Sequence, residues 1–247
     1  MRREVAALLW KETRQIPRKR SAVLTALLFP LLFFVVLPIG NMLGMRSGLM
    51  NVPVGVNVPT GFGNLSGDPM QVMRDFMLPL FVALGGLVIP SITATHTIIA
   101  ERERRTLELL VALPVSLGQI VFAKLLAVLL LGLGIAVPLF VIDAAVMISL
   151  GIASLVEVLA LLFLLVAALL YSTSSALLVG LFAADFRTAN NLNGALIGPS
   201  ILLTLAALMV LPGGMLRYPL LGAVFLALAV VVTIVALRAL TIERFLR

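Results

Sequence analysis

"FMLPLFVALGGLVIPSITATHTIIA", Phe76 to Ala100, runs for twenty-five residues without a formally charged side chain, and "ERERR" follows it directly. A helix needs about 20 mostly apolar residues to cross about 30 Å of hydrocarbon, so this stretch is long enough to span a bilayer. Runs of the same kind recur at 22–42, 125–150, 158–184, 192–211 and 219–240. With 62% apolar and 12% charged residues, the chain departs from any soluble composition. The expectation is an all-α polytopic membrane protein, a single domain over 1–247 with six transmembrane helices.

Six crossings put both ends on one side, and the basic residues say which. Of eighteen Lys and Arg, only Arg46, Arg74 and Arg217 fall on one side of the predicted spans. The remainder lie before the first span, between the second and third, at Arg187, and at the C-terminal end. The positive-inside bias therefore places both termini and the Glu101–Gln119 segment in the cytoplasm. A basic surface of this kind meets anionic lipid headgroups rather than nucleic acid, so the +7 formal charge does not imply a nucleic-acid partner.

Residues 1–21 form a charged leader to an uncleaved first span. Val5, Leu8, Leu9 and Ile16 share one helical side while Arg3, Lys11, Arg14 and Arg18 share the other. This suits an interfacial helix with Trp10 at headgroup depth, ended by Pro17 or the basic run after it; a solvated basic leader is the plainer alternative. Residues 43–75 form an outer loop rich in Gly, Pro and Asn, in which "VPVGVNV" has the composition of a short strand interrupted by its own Pro and Gly.

Catalytic and metal chemistry find little support. The chain has no cysteine and one histidine, which rules out thiolate sites and any cluster of His ligands. Neither H-E-x-x-H nor G-x-S-x-G occurs, and without G-x-x-x-x-G-K-[ST] no P-loop exists to bind ATP. No catalytic, cofactor or metal residue is assigned. His96 is expected to pack at the inner interface, and Asp143, toward the outer end of the third span, to reach water there, with Arg217 as its alternative partner.

Glycine and proline punctuate several spans, and "GALIG", Gly194 to Gly198, has the small-xxx-small spacing that lets helices approach closely. It suits either a dimer contact or packing within one chain. "YSTSSA", Tyr171 to Ala176, offers packing or hydrogen bonds between helices. No internal repeat is visible.

The segment at 101–119 is the most informative. Glu, Arg and Leu favour helix, Glu101 pairs with Arg104 or Arg105 and Arg104 with Glu108 at helical spacing, and Pro114 stops the run. Leu107, Leu110 and Val111 share one side. The result is an amphipathic elbow too short and too charged to span. "ERERRTLELLVALPVSLGQIVFAKLLA", Glu101 to Ala127, resembles the signature of ABC-2 type ABC transporter permeases, E-x-x-x-G-T-L-E-x-L-L-x-x-P followed by a Lys opening the third span. Glu101, Thr106, Leu107, Glu108, Leu109, Leu110, Pro114, Ser116 and Lys124 match, and Arg105 stands where the family usually has Gly.

That resemblance implies a permease subunit of an ATP-driven exporter, itself not an enzyme, in the plasma membrane of a bacterium or archaeon. Glu101, Arg102, Arg104, Arg105, Thr106, Leu107, Glu108, Leu110 and Val111 would be the coupling helix that docks into a separate cytoplasmic ATPase, where ATP and Mg would be held. A second permease copy or paralogue would complete the pathway, with Gly194 and Gly198 as dimer contacts and membrane lipids around it. The lining expected of such spans, apolar with scattered Ser, Thr and Asn, suits a lipid-like or amphipathic cargo. Two rivals make different use of the same residues. One is an ion-coupled secondary carrier working through Asp143; the other is a non-transporting scaffold that recruits a cytoplasmic protein. An elbow that only rests on headgroups is the plainest reading of the segment.

Overall fold

The computed structural model describes residues 27–47, 69–103, 117–183, 185–211 and 214–239, with the backbone alone at 92–103. All regular structure among them is helical. Six helices are long and apolar enough to cross a membrane: α1 (Leu27–Gly44), α2 (Leu78–Glu103), α3 (Leu117–Ser149), α4 (Leu155–Phe182), α5 (Phe186–Val210) and α6 (Arg217–Ala239). The chain is a polytopic helical membrane protein.

Local chemistry sets the helix ends. Ser154 and Glu157 form a reciprocal capping box at the start of α4, the Ser154 N–H donating to Glu157 Oε2 at 2.7 Å. Just before it Gly151 takes a positive φ of 69°, so α3 closes with Ile152 N–H on the Met147 carbonyl at 2.9 Å. Asp185 caps α5 by accepting the Thr188 N–H at 2.7 Å, which holds its carboxyl below the ordinary aspartate range. Residues 186–191, between the fourth and fifth apolar runs, are therefore the first turns of a helix.

Helix association in lipid depends on close packing and polar contacts, because lipid tails compete for apolar surface. The centre of the bundle is α4, packed along α2 on one side and α6 on the other. Gly86 makes the first contact possible: a Cβ there would lie 2.7 Å from Ala168 Cβ and 3.2 Å from the Leu165 carbonyl oxygen. Gly222 lets α6 approach the Phe163 ring. Ser172 donates to the Leu87 carbonyl across the α2–α4 contact, and Thr233 of α6 donates to Ser174 at 2.9 Å. The "YSTSSA" stretch thus both packs and bonds. Phe34 of α1 lies against Gly85 and meets Phe140 of α3 edge-on, with ring centroids 6.5 Å apart.

Two five-residue wide turns interrupt the helices, Leu32–Val36 in α1 and Met73–Met77 ahead of α2. Each sits just before a proline, Pro38 or Pro79. In the second, Leu78 N–H reaches back to the Met73 carbonyl and Pro79 has no N–H, so the Arg74 and Asp75 carbonyls lose their usual donors. The start of α6 supplies replacements. Tyr218 donates its hydroxyl to the Arg74 carbonyl at 2.9 Å, and Arg217 Nη1 donates to the Asp75 carbonyl at 2.8 Å. Arg217 Nη2 also donates to the Leu211 carbonyl. Arg74 pairs with Asp75 at 3.3 Å and approaches Glu157 at 3.9 Å. On the orientation implied by the basic residues, this clamp closes the outer end.

Candidate functional site

The helix that carries the charged segment does not stop where its apolar run stops. From Leu78 it continues without interruption to Glu103, past Pro90. Its twenty-six residues extend about 39 Å, more than the hydrocarbon thickness of about 30 Å. On the far side of the segment, α3 begins at Leu117 and runs for thirty-three residues, about 50 Å. The two helices also pack against each other, and the stretch Met73–Ser91, which runs from the wide turn into the first half of α2, is the most enclosed of the six apolar spans, with 67% of its window buried. A force applied at 104–116 is thus applied between two long helices, one of which is anchored at the centre of the fold.

Glu101 and Arg102 lie on the last turn of α2, where the backbone alone is described. Arg104, Arg105, Thr106, Leu107, Glu108, Leu110 and Val111 lie outside the described residues, as do Trp10 with the expected interfacial helix and the Val-rich part of the outer loop. His96 is on α2 with its side chain likewise outside the description. Lys124 lies near the start of α3 and is buried.

Gly194 and Gly198 differ from the tightly packed glycines. A Cβ built at either meets no heavy atom within 4 Å, so neither makes a close contact among the described residues. They sit on a helix whose polar side is engaged: Tyr171 of α4 bonds the Ser200 hydroxyl at 2.8 Å, and Asn193 donates to the Ser91 carbonyl of α2 at 3.3 Å. Its outward side is apolar, with Leu202 67% and Val210 82% exposed. The two glycines therefore stand on a side of α5 left open to lipid or to another helix.

The expectation for Asp143 does not hold. It is 0% exposed, and both carboxylate oxygens lack a hydrogen-bond partner among the described residues. The reason is rotational: its side of α3 also carries Phe140, Ala144 and Met147 into the core, where Phe140 meets Phe34. Nor is Arg217 its partner, since that guanidinium is bonded to the Asp75 and Leu211 carbonyls. The clamp formed by Arg217 and Tyr218 was not foreseen from sequence. Its one local signal was Pro79, which four residues earlier must leave a carbonyl open.

The comparisons with known proteins agree with the helical architecture. A family model described as ABC-2 family transporter protein matches residues 6–218, which takes in five of the six spans and the charged segment. No curated protein and no solved structure matches the chain.

Proposed function

This chain belongs to the ABC-2 family of transporter proteins, and from that premise we propose that it is the permease subunit of an ATP-driven exporter. In this reading the chain forms half of a translocation pathway in the cell membrane, its termini and charged segment lie in the cytoplasm, and a separate ATPase holds ATP and Mg. The observation that carries the coupling role is the unbroken passage of α2 from the bundle centre to Glu103. An elbow between two long helices that pack together moves as a lever, so an ATPase gripping 104–113 can tilt α2 and, through the Gly86 contact, α4. Leu107, Leu110 and Val111 fill the partner's groove, and Arg102, Arg104, Arg105 and Glu108 form its charged rim.

The test is copurification and turnover in lipid. Arg104→Glu combined with Glu108→Arg is expected to lower ATPase retention and transport-linked hydrolysis about tenfold or more, while the permease stays folded. Wild-type retention and turnover in the double variant would sink the coupling role.

The open side of α5 is proposed to receive a second permease copy or a paralogue, with Gly194 and Gly198 at the contact. Gly198→Leu is then expected to leave the single chain folded and to weaken dimer association about tenfold, read as the monomer fraction in lipid nanodiscs. An unchanged dimer fraction would move the contact elsewhere.

A further inference from the structure

Asp143 is the buried carboxylate that the packing leaves unanswered. Asp75, also buried, pairs with Arg74, whereas Asp143 has neither a pair nor a hydrogen bond among the described residues. The helix that carries it packs against α1, α2 and α4. Within its span α1 has no ionisable side chain, and Arg46 follows beyond its outer end. On α2 and its lead-in, Arg74 and Asp75 engage each other, while His96, Glu101, Arg102 and Glu103 belong to the opposite end. On α4, Glu157 faces Arg74 and Tyr171 bonds Ser200. Lys124 of α3 itself lies about 28 Å away along the helix. From α6, Arg217 is bonded to two carbonyls and Tyr218 to a third. No described cation answers a charge at Asp143.

An ionised carboxylate in such a place costs far more than a neutral acid, which needs only one acceptor for its O–H. The neighbouring helix has one to offer. In the wide turn of α1, Leu37 N–H is given to the Leu32 carbonyl, and Pro38 has no N–H, so the Phe33 carbonyl lacks both of its possible helical donors. Its counterpart ahead of α2, the Arg74 carbonyl, takes the Tyr218 hydroxyl. The depths agree. Phe34 meets Phe140, α1 and α3 run in the same direction, and Asp143 is three residues beyond Phe140 with its side chain tilted back toward the helix start.

We propose that Asp143 is a proton-binding site inside the bundle. In the packed arrangement it is a neutral carboxylic acid with the open Phe33 carbonyl as its acceptor, and it releases its proton to water when α1 moves away from α3. Closing the bundle takes a proton back. Movement of α1 against α3 is thereby linked to proton uptake and release, whatever drives it.

The test is infrared spectroscopy of the full chain in lipid nanodiscs at neutral pH, with aspartate labelled by carbon-13 at the side-chain carboxyl. The expected result is a protonated-acid carbonyl band that shifts with the label, is lost in both Asp143→Asn and Asp143→Leu, and survives in Asp75→Asn. A wild-type spectrum with aspartate present only as carboxylate would overturn the proposal without reference to any variant. So would an acid band that persists when Asp143 is replaced. Neither result depends on an ATPase partner, so this site and the coupling role stand or fall separately.

Discussion

Gly86→Leu is expected to abolish recovery of folded protein from the membrane, and Gly86→Ala to lower its thermal midpoint clearly. At this position even a Cβ would lie 2.7 Å from Ala168 Cβ and 3.2 Å from the Leu165 carbonyl oxygen, and neither atom can rotate away, because an alanine Cβ is fixed to its backbone. Overpacking in a close-packed interior costs about 1–3 kcal/mol, and a four-carbon side chain driven between two helix backbones belongs at or above the top of that range. The contact lies between α2 and α4, the pair on which the other helices are hung, so local relaxation has little room. The control is Gly134→Ala, in the middle of α3. Open space surrounds that Cβ, and replacing a mid-helix Gly by Ala contributes up to about 1 kcal/mol of helix propensity, so its midpoint should hold or rise. Size-exclusion profiles and thermal unfolding in detergent measure both. Equal midpoints for Gly86→Leu and wild type would mean that α2 and α4 do not meet here.

Arg217→Met is the second large effect. It keeps the length of the side chain and removes the donors that reach the Asp75 and Leu211 carbonyls. A buried acceptor left without a donor costs about 1–3 kcal/mol, so two of them bring the expected loss to about 2–4 kcal/mol once relief of the buried charge is set against it. The Nε of Arg217, buried without a partner among the described residues, is part of that relief. Arg217→Lys should recover only part of the loss, because an ammonium cannot bridge two carbonyls with the planar fork of a guanidinium. Proteolysis between α5 and α6 and the thermal midpoint report the change. A variant as stable as wild type would show that water already serves those carbonyls.

The spans were legible because hydrocarbon thickness imposes a length and because charges are excluded from it, both properties of consecutive residues. The helix class and the count of six follow from that alone. Rotation about each helix axis was not legible, and it decides Asp143: whether its side of α3 meets solvent or Phe34 depends on a neighbour more than a hundred residues away. The glycines teach the same lesson. "GALIG" advertises close approach, yet Gly194 and Gly198 face open space, while Gly86 and Gly222, outside any such spacing, are where backbones meet. Pro79 announced open carbonyls, but their donors come from residues 217 and 218, which no local pattern connects to it. The coupling residues other than Glu101 and Arg102 lie outside the described residues, and their assignment follows from the motif and from the two helices that lead into it.

The turn at Gly151 has a mechanical consequence. Five residues join Ser149 to Leu155, and the Ile152 to Met147 bond together with the buried Ile152 and Ala153 pins the two helix ends side by side. Those ends can swivel but not part, so they act as a rivet.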